Sequence, residues 1–218
     1  MNIAIIDYGM GNLYSVAKAV EHVAGVNDNI VVTSSSEQIA ACDKVIFPGQ
    51  GAAKDCMDAL YQCDLQTAIV DATKQKPFLG ICMGMQVLMQ MSEENNGVNC
   101  LGLYPGKVKY FGEHINIGAQ ENSYKVPHMG WNIIEQQQNH PLWKGIQDDS
   151  YFYFVHSYFV DTEQQSLIAG TTDYGVTFTS VIARENVFAM QCHPEKSAHT
   201  GLQLLKNFIH WDGNSSIN

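Results

Sequence analysis

Pro77-Phe78-Leu79-Gly80-Ile81-Cys82-Met83-Gly84 is the stretch whose reading decides the fold. Its first half is a short apolar run that reads as a buried strand, and the apolar residues through Met91 read as a helix over Met83–Met91. Gly80-Ile81-Cys82-Met83-Gly84 between them fits the pattern glycine–any–nucleophile–any–glycine. A nucleophile on a sharp strand-to-helix turn sits in strained backbone, and close packing on both sides excludes a Cβ from the flanking positions. A helix beginning at Cys82 would also favour thiolate over thiol through its N-terminal dipole.

Outward from this turn the chain alternates. Strand-like segments at Asn2–Asp7, Ile30–Thr33 and Lys44–Phe47 are separated by helix-like ones at Leu13–Val23, Ala53–Gln62 and Leu65–Thr73. Ser34-Ser35-Ser36 followed by Glu37 adds a helix start. Such an order predicts parallel strands joined by right-handed crossovers. After residue 100 the pattern changes to short strand-like pieces at Val108–Phe111, Asn132–Ile134, Ser150–Val155, Ser166–Thr171, Phe178–Ala183 and Val187–Gln191. These predict antiparallel ribbons added to the parallel core. Thr200–Trp211 reads as a closing amphipathic helix, and 212–218 as a frayed polar tail. Asn95–Asn99 and Gly112–Ser123 read as surface loops. The expectation is one α/β domain over residues 1–211 and a tail over 212–218.

Composition narrows the function. The 218 residues are 45% apolar and 16% charged, a balance that excludes a disordered chain. A net charge of −10 argues against binding nucleic acid or an anionic membrane, and makes this chain a poor lone binder of a phosphorylated substrate. The N-terminus lacks the basic segment of a signal peptide, and no 18-residue apolar run exists. Cysteines at 42, 56, 63, 82, 100 and 192 form no C-x-x-C pair and have no zinc spacing, so no metal is expected and most are read as reduced, buried, cytosolic thiols. A cytoplasmic protein is expected.

A cysteine nucleophile needs a base, and the base needs an orienting group. Gln191-Cys192-His193-Pro194-Glu195 offers His193 at the end of a strand and Glu195 within reach of the same imidazole. Sites in open α/β folds lie where parallel strands end, which suits that order. Pro48-Gly49-Gln50-Gly51 follows another buried strand, and its backbone N–H groups can turn toward a developing oxyanion.

With Cys82, His193, Glu195 and this glycine-rich turn in place, the chain resembles the class I, triad-type glutamine amidotransferases. It is similar in particular to the glutaminase subunits of imidazole glycerol phosphate synthases. The stretches that carry the resemblance are Ile6-Asp7-Tyr8-Gly9-Met10-Gly11-Asn12-Leu13, Pro48-Gly49-Gln50-Gly51, Leu79 to Gln86, Val126-Pro127-His128-Met129-Gly130-Trp131-Asn132, Tyr151 to Tyr158 and His193-Pro194-Glu195-Lys196-Ser197. They cover nearly the whole chain.

The resemblance implies a three-layer fold with a mostly parallel central sheet and added antiparallel strands. It implies Cys82 as nucleophile, His193 as general base and acid, and Glu195 as orienting carboxylate. Gly49, Gln50, Gly51 and the backbone at Met83 would form the oxyanion hole, and Gln86 would face glutamine. Asn12, Trp131, Tyr153 and Lys196 would lie toward a partner. No cofactor is implied. The partner would be a (β/α)8-barrel cyclase that uses the released ammonia in histidine biosynthesis, in a heterodimer. An enzyme amidating sugars for surface polysaccharides is the alternative acceptor; a catalytically inactive regulatory subunit and a free-standing cysteine peptidase are the rivals from other classes. Two positions depart from the family pattern: Cys192 stands where an aromatic residue is common, and Gln50 where a small apolar one is.

Overall fold

The computed structural model describes residues 1–116 and 123–214. The first half runs β1 (Asn2–Ile6), α1 (Leu13–Val23), β2 (Asn29–Thr33), α2 (Ser36–Ala41), β3 (Lys44–Gly49), α3 (Ala53–Gln62), α4 (Gln66–Gln75), β4 (Phe78–Cys82), α5 (Met83–Gln86), β5 (Met89–Ser92) and β6 (Val98–Asn99). The second half runs β7 (Tyr104–Tyr110), β8 (His128–Gln136), β9 (Ser150–His156), β10 (Tyr158–Asp161), β11 (Ile168–Asp173), β12 (Thr177–Arg184), β13 (Val187–Met190) and α6 (Ala198–His210).

Strands β2, β1, β3, β4 and β13 lie side by side in that order, all parallel. Their sequences explain the placement. Ile3-Ala4-Ile5-Ile6, all of β3 and all of β4 are buried, as strands must be when both faces of a sheet are covered, and apart from Lys44 at the start of β3 they carry no charged residue. β12 joins β13 antiparallel, and there the sheet forks. One branch continues through β10, β7, β5 and β6, the other through β11, β8 and β9. Thus the parallel core and antiparallel additions expected from the sequence are both present.

Helix α1 buries Val16, Ala17, Ala19 and Val20, and begins where the Asn12 side chain accepts the Ser15 N–H at 3.2 Å. Such a cap is worth about 1 kcal/mol. α1 packs against α6 and against the short turn Pro194–Lys196. The far end of α6 is closed by Lys44, whose ammonium donates to the Phe208 carbonyl at 3.2 Å and to that of Trp211. Burial lowers the Lys44 pKa to about 8.

Several expectations need correction. The helix expected over Met83–Met91 is a single turn, Met83–Gln86, followed by β5. The carbonyls of Val87, Leu88 and Met89 accept N–H groups from Leu101, Leu103, Tyr104 and Gly102, so long-range pairing wins over helix continuation. The dipole argument for Cys82 weakens accordingly, because one turn carries little of a macrodipole. Pro48 and Gly49 belong to β3 rather than to a turn. Asn95–Asn99 ends in the two-residue strand β6. Of the tail, 212–214 forms a turn in which Asn214 donates to Asp212 and its carbonyl accepts from the Trp211 indole, while 215–218 lies outside the described residues. Residues 117–122 of the loop expected over Gly112–Ser123 also lie outside them. All six cysteines are free; Cys63 is exposed and Cys100 half-buried.

Three histidines sit in the core. His140 packs against Phe188 and Trp211. His128 and His156 lie among Phe111, Phe154 and Phe178. His156 Nδ1 lies 2.8 Å from the Tyr158 carbonyl, so it carries the proton, and Nε2 accepts from His128 Nδ1 at 2.9 Å. His128 Nε2 then accepts from the Asn132 amide at 3.2 Å. Burial lowers the pKa of His128 to about 4, of His140 to about 4 and of His156 to about 3.

Two predictions follow from this packing. A Cβ on Gly201 in α6 would overlap the Pro194 carbonyl, so Gly201→Ala should cost about 1–3 kcal/mol in a urea unfolding titration. The histidines make stability pH-dependent. Their folded pKa values lie below the unfolded value of about 6.5, so the unfolded chain alone takes up protons between about pH 6.5 and 4, and stability falls as pH falls through that window. His140→Phe removes one such group and should shrink the stability difference between pH 7 and pH 5 by about 2 kcal/mol, read from denaturant midpoints.

Candidate active site

β4 ends at Cys82, which turns the chain with φ +55° and ψ −110°. A residue other than glycine rarely occupies that region, and the cost, about 1–3 kcal/mol, must be met by the surroundings. Gly84 meets it: a Cβ there would overlap the Phe47 carbonyl of β3, so α5 rests directly on the neighbouring strand. Gly80, on the other side, faces Ala189 of β13, where an added Cβ would come within 2.8 Å. Both flanking glycines of the motif therefore serve close packing, as the sequence predicts.

β13 lies beside β4 and ends at Met190, which delivers His193 to the same edge. His193 Nδ1 and Glu195 Oε1 are 2.8 Å apart, with their side chains 7% and 2% exposed. His193 Nε2 and Glu195 Oε2 are buried without hydrogen bonds. Burial disfavours the imidazolium, but the Cys82 sulfur and then the Glu195 carboxylate outweigh it, and the His193 pKa is raised. That balance favours the imidazolium over the neutral ring. The backbone around His193 is tied to β9 by a ring of three bonds. His193 N–H donates to the Tyr153 carbonyl at 2.9 Å, Tyr153 N–H to Ser197 Oγ at 2.9 Å, and Ser197 Oγ–H to the His193 carbonyl at 2.6 Å.

Cys82 and His193 open onto a cavity of about 510 Å³, also lined by Gln50, Gly51, Met83, Gln86 and Glu94 and by the segment Val155 to Tyr158. Gly49 stands opposite Cys82 in the β3–β4 register. Gly51 has φ +98°, a conformation that favours glycine, and the Gln50 carbonyl accepts from the Cys56 thiol at 3.6 Å. The Met83 N–H, first in α5, has no partner within its helix. A groove of similar volume between α2 and α4 carries no cysteine or histidine.

Gln86 lies in the cavity wall, yet its Nε2 donates to the Tyr158 carbonyl at 3.1 Å and to Gln191 Oε1 at 2.8 Å. Only its carbonyl oxygen is left for a ligand. Cys192 is fully buried, and burial pushes its thiol far up, so it is a neutral packing group. Among the residues expected to face a partner, Trp131 packs edge-on against Tyr153, with centroids 6.1 Å apart, and Lys196 Nζ lies 5.9 Å from the Tyr153 ring centroid. Trp131 is 51% exposed, on the ribbon face that also shows Met129 and Tyr151. Asn12 is the exposed cap of α1, the helix that packs against the turn holding Lys196.

Sequence reasoning missed Gln191, Glu94 and the Val155–Tyr158 segment of the wall. Gln191 had a signal: it is a polar residue ending the wholly apolar strand Val187–Met190. Glu94 had none, because it lies in a segment without periodicity.

The family model described as glutamine amidotransferase class-I matches residues 4–211. Among curated relatives, imidazole glycerol phosphate synthase subunit HisH of Hydrogenovibrio crunogenus is 53% identical over 97% of this chain and 97% of its own. The protein of the same name from Nitrosococcus oceani is 50% identical over 97% of this chain and 98% of its own. Of solved structures, a glutamine amidotransferase superposes with TM-score 0.68 at 13% identity, covering 95% of this chain and 97% of that one. A second, from Thermotoga maritima, gives TM-score 0.58 at 17% identity, covering 92% of this chain and 78% of that one. At such identities the structures support the fold alone, an α/β core with a large mixed sheet and flanking helices. The sequence matches extend over almost the entire chain and carry the assignment further: this chain belongs to the class I glutamine amidotransferase family.

Proposed function

We propose that the chain is a glutaminase subunit that hydrolyses the side-chain amide of L-glutamine and passes the ammonia to a partner. The observation that carries this reading is Cys82 at positive φ on the end of β4, next to a strand that delivers a buried His193–Glu195 pair. The Cys82 thiolate attacks the amide carbon, forming the C–S bond. The oxyanion is held by N–H groups of the Gly49–Gly51 segment and of Met83. Each such donor is worth about 3–4 kcal/mol. The imidazolium of His193 gives its proton to the departing ammonia as the C–N bond breaks, leaving a glutamyl thioester. Water then attacks, surrendering a proton to His193, and the C–S bond breaks with its electrons returning to sulfur. Glu195 holds the ring in the tautomer that these transfers need.

The relatives' names describe a subunit, which supports a complex in which this chain supplies ammonia. The partner in this reading is a (β/α)8-barrel cyclase that makes imidazole glycerol phosphate and an aminoimidazole carboxamide ribotide. The net charge of −10 agrees with an anionic substrate on the other chain. The exposed face with Met129, Trp131, Tyr151 and Tyr153 is the docking surface, with Lys196 at its side and Asn12 at the head of α1. The catalytic domain spans 1–211 and the remainder is a tail. Among the described residues no helix is long and apolar enough to cross a membrane. The cytoplasm is the setting this reading proposes.

The test is glutamine turnover by the complex. Cys82→Ala should abolish glutamate release yet leave cyclase turnover with added ammonium, and His193→Ala should lose at least ~10³-fold. Glutaminase activity surviving in Cys82→Ala would overturn the assignment. Trp131→Ala should weaken association with the cyclase subunit by roughly thirty-fold or more in a calorimetric titration, the loss of a central aromatic anchor.

A further inference from the structure

The Cys82 sulfur has a second polar neighbour besides the imidazole. Gln191 is fully buried, and its Nε2 points to Cys82 Sγ at 3.5 Å, within the reach of a hydrogen bond to sulfur. Which end of that amide faces the sulfur is settled by its surroundings. Gln86 Nε2 has two protons; one goes to the Tyr158 carbonyl and the other to Gln191 Oε1. Gln191 must therefore turn its NH₂ toward Cys82. The Tyr158 carbonyl is in turn held by a second donor, His156 Nδ1 at 2.8 Å. An N–H donor aimed at a thiol gains most when the sulfur is an anion, because hydrogen bonds to charged groups are roughly twice as strong as neutral ones.

We propose that Gln191 is a further residue of the reaction: held by Gln86, it donates to the Cys82 sulfur, stabilising the thiolate before attack and again when the C–S bond of the thioester breaks. The proposal rests on the reading of Cys82 as nucleophile. His193 also interacts with the sulfur, and Cys192, Cys56 and Tyr8 are further titratable groups that sense Cys82's charge. Burial keeps those three protonated in the working range, so the imidazolium and the Gln191 amide are the groups left to favour the anion.

The experiment is the pH dependence of Cys82 alkylation by iodoacetamide, followed at the Cys82 peptide by mass spectrometry in the intact chain, with glutamine kinetics of the complex alongside. Gln191→Met keeps the volume and removes the donor. The rising limb of alkylation should move up by about one pH unit, a roughly tenfold change in thiolate at the foot of the limb. The kinetics should show a fall in kcat larger than any rise in KM. Gln86→Met leaves Gln191 in place but frees its amide to rotate, and should shift the limb in the same direction by less; it decides the matter if Gln191→Met does not fold. A limb that stays where it is, with rates lowered equally at every pH, would show a packing role only and overturn the proposal. Preferential labelling of another cysteine in the unaltered chain would instead count against Cys82 as nucleophile.

Discussion

The contact on which the site depends is the one between Gly84 and the Phe47 carbonyl. Cys82 adopts a backbone conformation that an ordinary residue resists, and it stays there because the chain after it lies flat on β3 with no side chain between. A methyl group at position 84 would lift α5, release the turn and carry the sulfur away from β13. The adjacency of β3, β4 and β13 is thus a requirement of the chemistry as well as of the core. It brings three strand ends to one edge, each carrying a different part: backbone N–H groups, a thiol, and an imidazole with its carboxylate.

Much of this was legible in the sequence because the parallel core is written in local signals. Ile3–Ile6, Val45–Phe47 and Phe78–Ile81 are short runs of apolar residues and glycine bounded by turn residues, and the α1 and α3 spans follow from apolar spacing alone. The pentapeptide around Cys82 and the His193–Glu195 spacing needed no tertiary knowledge. What was not legible is what distant segments decide. Met83–Met91 has the composition of a helix, and it becomes one turn and a strand only because residues 101–104 arrive to take its carbonyls. The strand read over Ser150–Val155 is β9, paired with β8, but β10 at Tyr158–Asp161, paired with β7 and β12 beyond a break at Ser157, was not read at all. Neither glycine nor proline marks that division.

The ring of bonds linking Tyr153, Ser197 and His193 means that the imidazole is not carried by a free loop. Its backbone is fastened to the ribbon whose opposite strand presents Trp131. The Lys44 clamp does the same for the end of α6, so the helix that follows His193 is held at both ends.

The chain from Asn132 through His128 and His156 to the Tyr158 carbonyl has a direction. Asn132 also donates to the Asp173 carbonyl at 2.8 Å, and its oxygen accepts the Ile133 N–H, so the amide can face only one way. With that end fixed, every proton in the chain points the same way, and no ring nitrogen remains to accept another. His156 in the cavity wall and His128 behind it are therefore neutral: two imidazoles that could each have carried charge carry none. The field felt by a bound amide is then set on that side by fixed dipoles, and it stays constant as the solvent's acidity rises until about pH 4, where His128 takes up a proton.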